Sequence, residues 1–201
     1  MNTIPDIAWP LSAPDPETEQ RLRERLVVDA DAAGVLDVAY RIVETPVGPL
    51  LLAATERGVV RVAFEREGHD AVLQALADRI SPRILHAPAR LDETAREIDE
   101  YFRGERIRFD VPLDFRLAKG FRREVLSHLP EIVYGHTASY AAIAEVTGSP
   151  RAIRAVGTAC ATNPLPVVVP CHRVIRSDGA MGRYVGGPEA KSLLLTLESA
   201  A

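Results

Sequence analysis

The sequence contains few cysteines and no long apolar run, and both absences narrow the classes of protein it can belong to. Its 201 residues include two cysteines, Cys160 and Cys171, too few for a disulfide framework or a four-thiolate zinc site. The five histidines are not grouped at the spacing of metal ligands, so we expect no bound metal. No stretch approaches the roughly 18 apolar residues that a membrane span needs.

The N-terminus also lacks the features of a secretory signal. It has no basic region followed by an apolar core. We therefore expect a cytoplasmic protein that does not bind a membrane and whose cysteines stay reduced. Chemistry at either cysteine would then be nucleophilic, or metal-assisted with other ligands.

The charge of the chain is unevenly distributed. The formal net charge is −4, which taken alone argues against a nucleic-acid binder. Residues 116–201 contain ten Lys and Arg against six Asp and Glu, a balance of +4, which leaves −8 for residues 1–115. Such an asymmetry is typical of a C-terminal half that meets a polyanion, although a basic solvent-exposed face would carry the same charge.

Residues 1–35 are interpreted as an N-terminal extension, with a helical pattern that starts at Asp15. Residues 36–113 then predict an α/β domain. Three strands separated by turns are predicted within residues 40–65, where runs rich in Val, Leu and Ile alternate with Gly-containing turns. Further predicted elements are amphipathic helices over 69–80 and 91–104 and a strand over 107–115.

Residues 114–201 predict a mainly helical domain. A helix is predicted over 121–132, and a second, shorter helix over 139–148 with Thr137 or Ser139 as its cap. The composition of this part, with several basic residues, agrees with the charge asymmetry described above.

A third helix follows after Gly148 alone. Ser149 is a favourable N-cap, Pro150 a favourable first helical residue, and Asn163 followed by proline a stop signal. Two short helices joined by a tight glycine-containing turn are typical of a helix-turn-helix. Helical hairpins also occur in proteins that bind no nucleic acid, so the spacing alone leaves both readings open.

The third helix consists largely of small residues. Its interior glycine, Gly157, lowers helix stability by about 1 kcal/mol relative to alanine, so helix propensity does not explain it. Close packing against another helix is one explanation, and close approach to a nucleic-acid backbone is the other. We favour the second because Arg154 projects from an otherwise bare surface.

The segment "VVVPCHRVIR", residues 167–176, raises the possibility of a nucleophilic Cys171. A cysteine reacts as the thiolate and needs a group that accepts its proton. His172 is adjacent, but neighbouring side chains of an extended chain point to opposite faces, so a bend after Pro170 or an intervening water is required. A histidine base also needs a carboxylate partner. The downstream candidates are Asp178, Glu189 and Glu198. A buried, inert cysteine is the alternative.

Motifs along most of the chain resemble a known family. "RAVGTACATNP", "PCHRV", and "GRYVGG" followed by "LLLTLE" closely resemble the O6-alkylguanine-DNA alkyltransferases. The resemblance extends from about Arg41 to Glu198 and includes "TPVGPLLLAAT", "EYFRGERIRFDVPLD" and "GHTASYAAIAEVTGSPRAIRAVG". It implies a small ribonuclease-H-like sheet with flanking helices, followed by a mainly helical domain with a winged-helix-like helix-turn-helix.

The resemblance implies direct-reversal DNA repair. An O6-alkylguanine, and by expectation an O4-alkylthymine, would be flipped out of duplex DNA through the minor groove, and its alkyl group transferred to a cysteine. A thioether has no easy leaving route, so each molecule should act once, without a cofactor. The expected partner is double-stranded DNA. We expect a monomer, and cooperativity on DNA is left open.

Roles follow for individual residues from the same resemblance. Cys171 would be the alkyl acceptor, and His172 would take its proton through a bridging water while Glu198 orients the imidazole. Asn163 would tie the helix-turn-helix to the cysteine segment. Tyr140 would press on the rotating phosphate and hydrogen-bond guanine N3 as the base leaves.

The same resemblance assigns the surfaces that hold the DNA and the flipped base. Arg154 would enter the duplex and fill the space that the base leaves. The other residues facing DNA would be Tyr140, Ala152, Ala155, Gly157 and Thr158. The base pocket would consist of Pro166, Val174, Tyr184, Val185, Gly186 and Lys191.

Three other functions share some of these features. A methyl-sensing transcriptional regulator would need an additional cysteine-rich module, and residues 1–35 contain no cysteine. A lesion-binding protein without activity would lack Cys171. A cysteine hydrolase would ordinarily have its Cys and His far apart in sequence.

Overall fold

The structure, a computed structural model, describes residues 15–199. Its first helix, α1 (Pro16–Ala32), begins as predicted, with the Asp15 carboxylate accepting a hydrogen bond from the Thr18 N–H at 2.9 Å. Ala30 near the end of α1 is buried in a small apolar cluster with Ala87. The earlier part of the predicted extension, residues 1–14, lies outside the described residues.

A four-stranded sheet forms the centre of the N-terminal half, in the order β3-β2-β1-β4. The strands are β1 (Val38–Val43), β2 (Leu50–Thr55), β3 (Gly58–Phe64) and β4 (Ile84–His86). The first three are antiparallel, as their short predicted turns require, and β4 is parallel to β1. Strand β2 is buried along its whole length. Its alternate residues point to opposite faces, with Leu50 in one core and Leu51 in another.

Two helices cover the opposite faces of the sheet, and both were predicted. They are α2 (His69–Arg79) and α3 (Asp92–Phe102). Helix α2 contributes Val72 and Leu76, four residues apart, to the smaller core. Helix α3 contributes Ile98 and Tyr101, three residues apart, to the larger core. The larger core continues into the C-terminal half, so α3 lies where its side chains can reach the helical domain.

The prediction of a strand over 107–115 was wrong. The segment makes only an isolated bridge, through Leu113, to the start of β3. Pro112 has no N–H to donate to a ladder, and the N–H of Asp110 donates instead to the buried carboxylate of Glu97 at 2.9 Å. The fourth strand of the sheet is β4, which is too short to produce a clear sequence pattern.

The C-terminal half is mainly helical, as predicted. Its elements are α4 (Phe121–His128), β5 (Ala138–Ser139), α5 (Tyr140–Val146), α6 (Ile153–Ala161), β6 (Val174–Ile175) and α7 (Gly187–Ser199). Helix α4 ends earlier than predicted, at His128, because Pro130 follows within a 3-10 turn. Among residues 15–199, no helix is both long and apolar enough to cross a membrane.

Helices α5 and α6 form the predicted hairpin, but α6 begins later than predicted. Ser139, rather than Thr137, caps α5. The N–H of Ser149 donates to the carbonyl of Ala144 at 2.9 Å, so Ser149 closes α5 and does not cap α6. Helix α6 then begins at Ile153, after a turn. The short parallel pair of β5 and β6 joins the start of this hairpin to the chain that follows Cys171.

Candidate active site

Cys171 lies in a tight turn of the C-terminal half. Residues Cys171–Arg173 form a 3-10 turn directly after Pro170, which is the bend predicted from the adjacency of the cysteine and the histidine. Cys171 is 2% exposed, and the apolar residues before it are buried. Val167 has a φ of 72°, a left-handed conformation that is unfavourable for a β-branched residue. Surrounding packing therefore holds the loop before the cysteine in a strained conformation.

Asn163, at the end of α6, connects the hairpin to the thiol. Its Nδ2 donates to the Cys171 Sγ at 3.1 Å and to the carbonyl oxygen of Val169 at 2.9 Å. Its Oδ1 accepts from the N–H of Leu165 at 2.9 Å. The side chain is buried and uses both of its polar ends, so its orientation is fixed. One polar hydrogen is thereby directed at the sulfur.

The thiol is not reactive without help from its neighbours. Burial raises the pKa of Cys171 to about 11, while the hydrogen bond from Asn163 and the charge of Lys191 act in the opposite direction. At neutral pH the thiol is therefore mainly protonated, and a nucleophilic reaction needs a proton acceptor.

His172 is the nearest candidate for that acceptor. It is fully buried, and its Nε2 lies 2.8 Å from Oε1 of Glu198. Because the carboxylate can only accept, Nε2 carries the proton and Nδ1 keeps the lone pair. Nδ1 is buried and has no hydrogen-bond partner among residues 15–199. Burial lowers the pKa of His172, against the raising effect of Glu198, which favours the neutral imidazole that a base requires.

The structure selects Glu198 among the three carboxylates considered from the sequence. Glu189 is exposed at the start of α7, and Asp178 pairs with Arg176 at 3.3 Å on the surface. Glu198 is buried near the end of α7. Burial raises its pKa, but the hydrogen bonds from His172 and Arg173 outweigh this and lower it to about 2. Glu198 is therefore an anion at neutral pH.

Three residues around this centre were not predicted from the sequence. Arg173 holds Glu198 with two nitrogens, Nε to Oε2 at 2.8 Å and Nη2 to Oε1 at 3.0 Å. Tyr101 of α3 donates its hydroxyl to Oε1 of Glu198 at 2.7 Å. Phe64, at the end of β3, packs edge-on against Tyr184 with ring centroids 5.6 Å apart. The only sequence signal for them was the inclusion of Tyr101 and Arg173 in the matching motifs.

The residues predicted to form the base pocket surround the cysteine segment to different degrees. Pro166 and Val174 are buried. Tyr184 is also buried, and its hydroxyl has no partner within residues 15–199. Val185 and Gly186 are partly buried. A β-carbon on Gly186 would lie 2.6 Å from the ring of Phe64, so only glycine allows this close approach.

Lys191 of α7 is fully buried beside the segment that follows Cys171. Its Nζ donates to the carbonyl oxygen of Val174 at 2.6 Å and to that of Met181. Burial lowers the pKa of Lys191, while the two cysteines act in the raising direction. The lysine thus joins the chain after Cys171 to the loop that ends at Tyr184.

The predicted DNA-facing residues lie on one surface. Arg154, Ala155 and Thr158 are exposed on α6, Gly157 is half-buried, and Ala152 is half-buried just before the helix. The opposite side of α6 packs in the core through Val156, Ala159 and Cys160. Cys160 is therefore a packing residue, and burial raises its pKa.

Tyr140 is the first residue of α5 and lies next to the pocket loop, the segment 179–186 that carries Tyr184. It is half-buried, and a β-carbon on Gly182 would lie 2.6 Å from its hydroxyl oxygen. Burial raises the pKa of Tyr140, as do the nearby Cys160 and Cys171. The phenol is thus brought near Cys171, together with the loop that carries Tyr184.

The fold and the site define a two-domain protein in which a buried cysteine, joined to a histidine–carboxylate pair, lies beside an exposed helical hairpin. Known proteins share the two domains. Residues 38–115 match the ribonuclease-like domain of 6-O-methylguanine DNA methyltransferase, and residues 120–200 match its DNA-binding domain.

Individual relatives match this chain over nearly their whole length. The chain is 40% identical over 159 residues to the methylated-DNA–protein-cysteine methyltransferase of Methanosarcina barkeri, covering 79% of this chain and 96% of the relative. The constitutive enzyme of that name from Bacillus subtilis is 37% identical over 163 residues, covering 79% and 94%. A crystal structure of Mycobacterium tuberculosis OGT in complex with DNA superposes with a TM-score of 0.71 at 35% identity, covering 81% and 93%. The chain belongs to the 6-O-methylguanine DNA methyltransferase family.

Proposed function

We propose that this protein repairs O6-alkylguanine in duplex DNA by transferring the alkyl group irreversibly to Cys171. The observation that carries the proposal is the arrangement around the sulfur. An amide N–H from Asn163 points at it, and the adjacent His172 is paired with Glu198. The protein would act as a monomer in the cytoplasm, where reducing conditions keep the thiol available.

The reaction is an in-line substitution at the alkyl carbon. His172 accepts the thiol proton on Nδ1, through a bridging water, and becomes an imidazolium that Glu198 stabilises. The thiolate forms a bond to the alkyl carbon as the carbon–O6 bond breaks, and the electron pair of that bond remains with guanine. The proton held by the His172 imidazolium then passes through water to the guanine anion, which leaves both neutral, and Tyr140 hydrogen-bonds the base as its charge develops.

The products explain why one molecule acts once. The alkyl group ends as a thioether on Cys171, and neither His172 nor a water can displace it under mild conditions. The repaired guanine returns to the duplex. No cofactor enters this balance, because the alkyl group, the electron pair and the proton all have a donor and an acceptor in the protein or the base.

The exposed hairpin supports delivery of the base to this centre. The outer side of α6 combines an exposed cation, Arg154, with the small residues Ala155 and Gly157, which allow a shallow approach to the minor groove. Arg154 would fill the space of the flipped base, and Tyr140 at the start of α5 would act on the backbone of the same nucleotide. The flipped base would lie against Tyr184 and the loop that carries it.

Labelled DNA tests the proposal directly. Duplex containing O6-methylguanine with a labelled methyl group is incubated with the protein, and label on protein is measured against protein concentration. We expect about one equivalent of label, transferred once. Cys171→Ala should abolish the transfer, whereas Cys160→Ala, the change of the other buried cysteine, should leave it intact. Repeated turnover, or DNA binding without label on the wild-type protein, would sink the proposal.

A further inference from the structure

Glu198 is held by residues from both halves of the chain. Its Oε1 accepts hydrogen bonds from His172 at 2.8 Å, from Arg173 at 3.0 Å and from the Tyr101 hydroxyl at 2.7 Å. His172 and Arg173 belong to the cysteine segment, whereas Tyr101 belongs to α3 on the sheet domain. The sheet domain therefore donates one hydrogen bond to the carboxylate that orients the imidazole.

The position of the Tyr101 ring is fixed by its surroundings. The residue is fully buried, and its ring centroid lies 5.3 Å from that of Phe102, 5.3 Å from that of Phe109 and 6.2 Å from that of Tyr134. Such edge-on and tilted contacts hold an aromatic side chain in one orientation. The hydroxyl is therefore presented to Glu198 by a rigid support rather than by a mobile side chain.

The hydroxyl is a permanent donor. Burial, followed by the negative charge of Glu198, raises the pKa of Tyr101 well above its ordinary value. The hydroxyl is also 3.5 Å from Nε2 of His172, but that nitrogen already donates to Glu198 and cannot accept. The tyrosine proton can thus go only to the carboxylate.

We propose that Tyr101 is a positioning residue for alkyl transfer, through which the sheet domain fixes the carboxylate of Glu198 and thereby the orientation and basicity of His172. The inference rests on the proposed function. It gives the N-terminal domain, which carries none of the residues that touch the thiol or the DNA in the proposed mechanism, a part in the chemistry.

The physical effect works through charge. A hydroxyl that donates to Oε1 withdraws negative charge from the side of the carboxylate that faces His172. Without it, the carboxylate stabilises the imidazolium more strongly, so the neutral base is available only at higher pH. The titratable and charged groups that face His172 are Tyr101 from α3, Cys171 and Arg173 from its own turn, Tyr184 from the pocket loop, and Lys191 and Glu198 from α7. Of these, Tyr101 alone comes from the sheet domain.

Tyr101→Phe keeps the ring and removes the hydroxyl, so it tests the inference with little change in packing. In single-turnover transfer from methylated duplex, we expect a roughly three- to tenfold lower rate near neutral pH, the size expected for loss of one hydrogen bond of typical net strength. The acid limb of the pH–rate profile should shift to higher pH. Tyr134→Phe is the matched control, because its hydroxyl reaches only the carbonyl of Leu197, at 3.5 Å. It should leave both the rate and the profile unchanged.

A second measurement does not depend on transfer. The imidazole nitrogen resonances of His172, followed by NMR across pH, should show a higher pKa in Tyr101→Phe than in the wild type and in Tyr134→Phe. An unshifted profile together with an unshifted His172 titration overturns the inference, even if the rate falls uniformly, because a uniform loss is what a purely structural role predicts. Failure of the proposed function is recognised separately, as a wild-type protein that takes up no methyl group.

Discussion

The proposed reacting centre and the proposed DNA-facing surface of this protein are built in opposite ways. Cys171, His172 and Glu198 are each no more than 2% exposed, and each accepts or donates hydrogen bonds within the protein. Arg154, on the outer side of α6, is exposed and forms no ion pair with any of residues 15–199. The side chains of the centre are held by contacts within the protein, and Nδ1 of His172 is left without a partner among residues 15–199, whereas the surface offers an exposed cation with no ion-pair partner in the same part of the chain.

The difference has an energetic meaning. A buried charge that loses its paired and hydrogen-bonded partner destabilises the fold strongly. A substitution in the centre should therefore lower both the transfer rate and the free energy of unfolding. Exposed side chains contribute little to folding, because water solvates them in both the folded and the unfolded state. Substitutions should therefore separate into those that change transfer and stability together and those that change only the use of duplex DNA.

Glu198→Gln should have the largest effect. The change leaves the guanidinium of Arg173 buried without its anion, which destabilises the fold by about 3–5 kcal/mol, and it removes the group that stabilises the His172 imidazolium. Denaturant unfolding and single-turnover transfer measure the two consequences on the same sample. Glu189→Gln is the control, because Glu189 is exposed on the same helix and should change stability by no more than about 0.5 kcal/mol. Equal stability of the two variants would break the comparison between centre and surface.

Arg154→Ala should show the opposite pattern. Folding stability should stay within about 0.5 kcal/mol of the wild type, while transfer from duplex should slow roughly ten- to a hundredfold, since a few kcal/mol are needed to hold a base out of the stack. Transfer from a free O6-alkylguanine base needs no flipping and should be unaffected. Arg151→Ala removes a neighbouring exposed cation outside α6 and should slow duplex transfer much less. If both variants slow equally, charge alone explains the effect and Arg154 does not replace the base.

Much of this arrangement was predictable because it is encoded locally. Three strands, the helices on both faces of the sheet and the helical hairpin follow from periodicity and turn residues, which act over short stretches of chain. The adjacency of Cys171 and His172 required a bend, and the 3-10 turn after Pro170 provides it. The resemblance to the alkyltransferases added Glu198 and Asn163, whose side chains the structure brings to the histidine and the sulfur.

The rest depends on contacts between distant parts of the chain. Tyr101 reaches Glu198 across 97 positions, and no local pattern distinguishes its role from that of any buried aromatic residue. The strand predicted over 107–115 failed because a side chain from α3, Glu97, takes a main-chain N–H there. The start of α6 was misplaced because Ser149 uses its N–H to close α5, a competition that cap preferences alone cannot resolve.

The buried thiol should also make stability depend on pH. The pKa of Cys171 is raised from 9.0 to about 11 in the folded protein, so the unfolded chain loses the thiol proton first. The corresponding stability is complete below about pH 9 and is lost as the pH rises towards 11, a change of about 2 kcal/mol. Denaturant unfolding of the wild type and of Cys171→Ala, at about pH 8 and about pH 11, isolates this contribution. A stability difference between the two proteins that does not depend on pH would show that the thiol is less buried than the structure indicates.

Gly157→Ala should have the smallest effect on transfer, and it should separate folding stability from duplex binding most cleanly. A β-carbon on Gly157 would meet nothing within 4 Å, and alanine is favoured over glycine inside a helix by about 1 kcal/mol, so the variant should be more stable than the wild type. If the bare surface of α6 approaches the DNA backbone, the added methyl group should nevertheless weaken duplex binding a few-fold. Ala155→Gly is the reciprocal control on the exposed side of the helix, expected to lower stability while leaving room for DNA. A more stable Gly157→Ala protein that binds duplex as tightly as the wild type would mean that this glycine serves neither packing nor DNA approach, and the close contact would then have to be sought nearer Arg154.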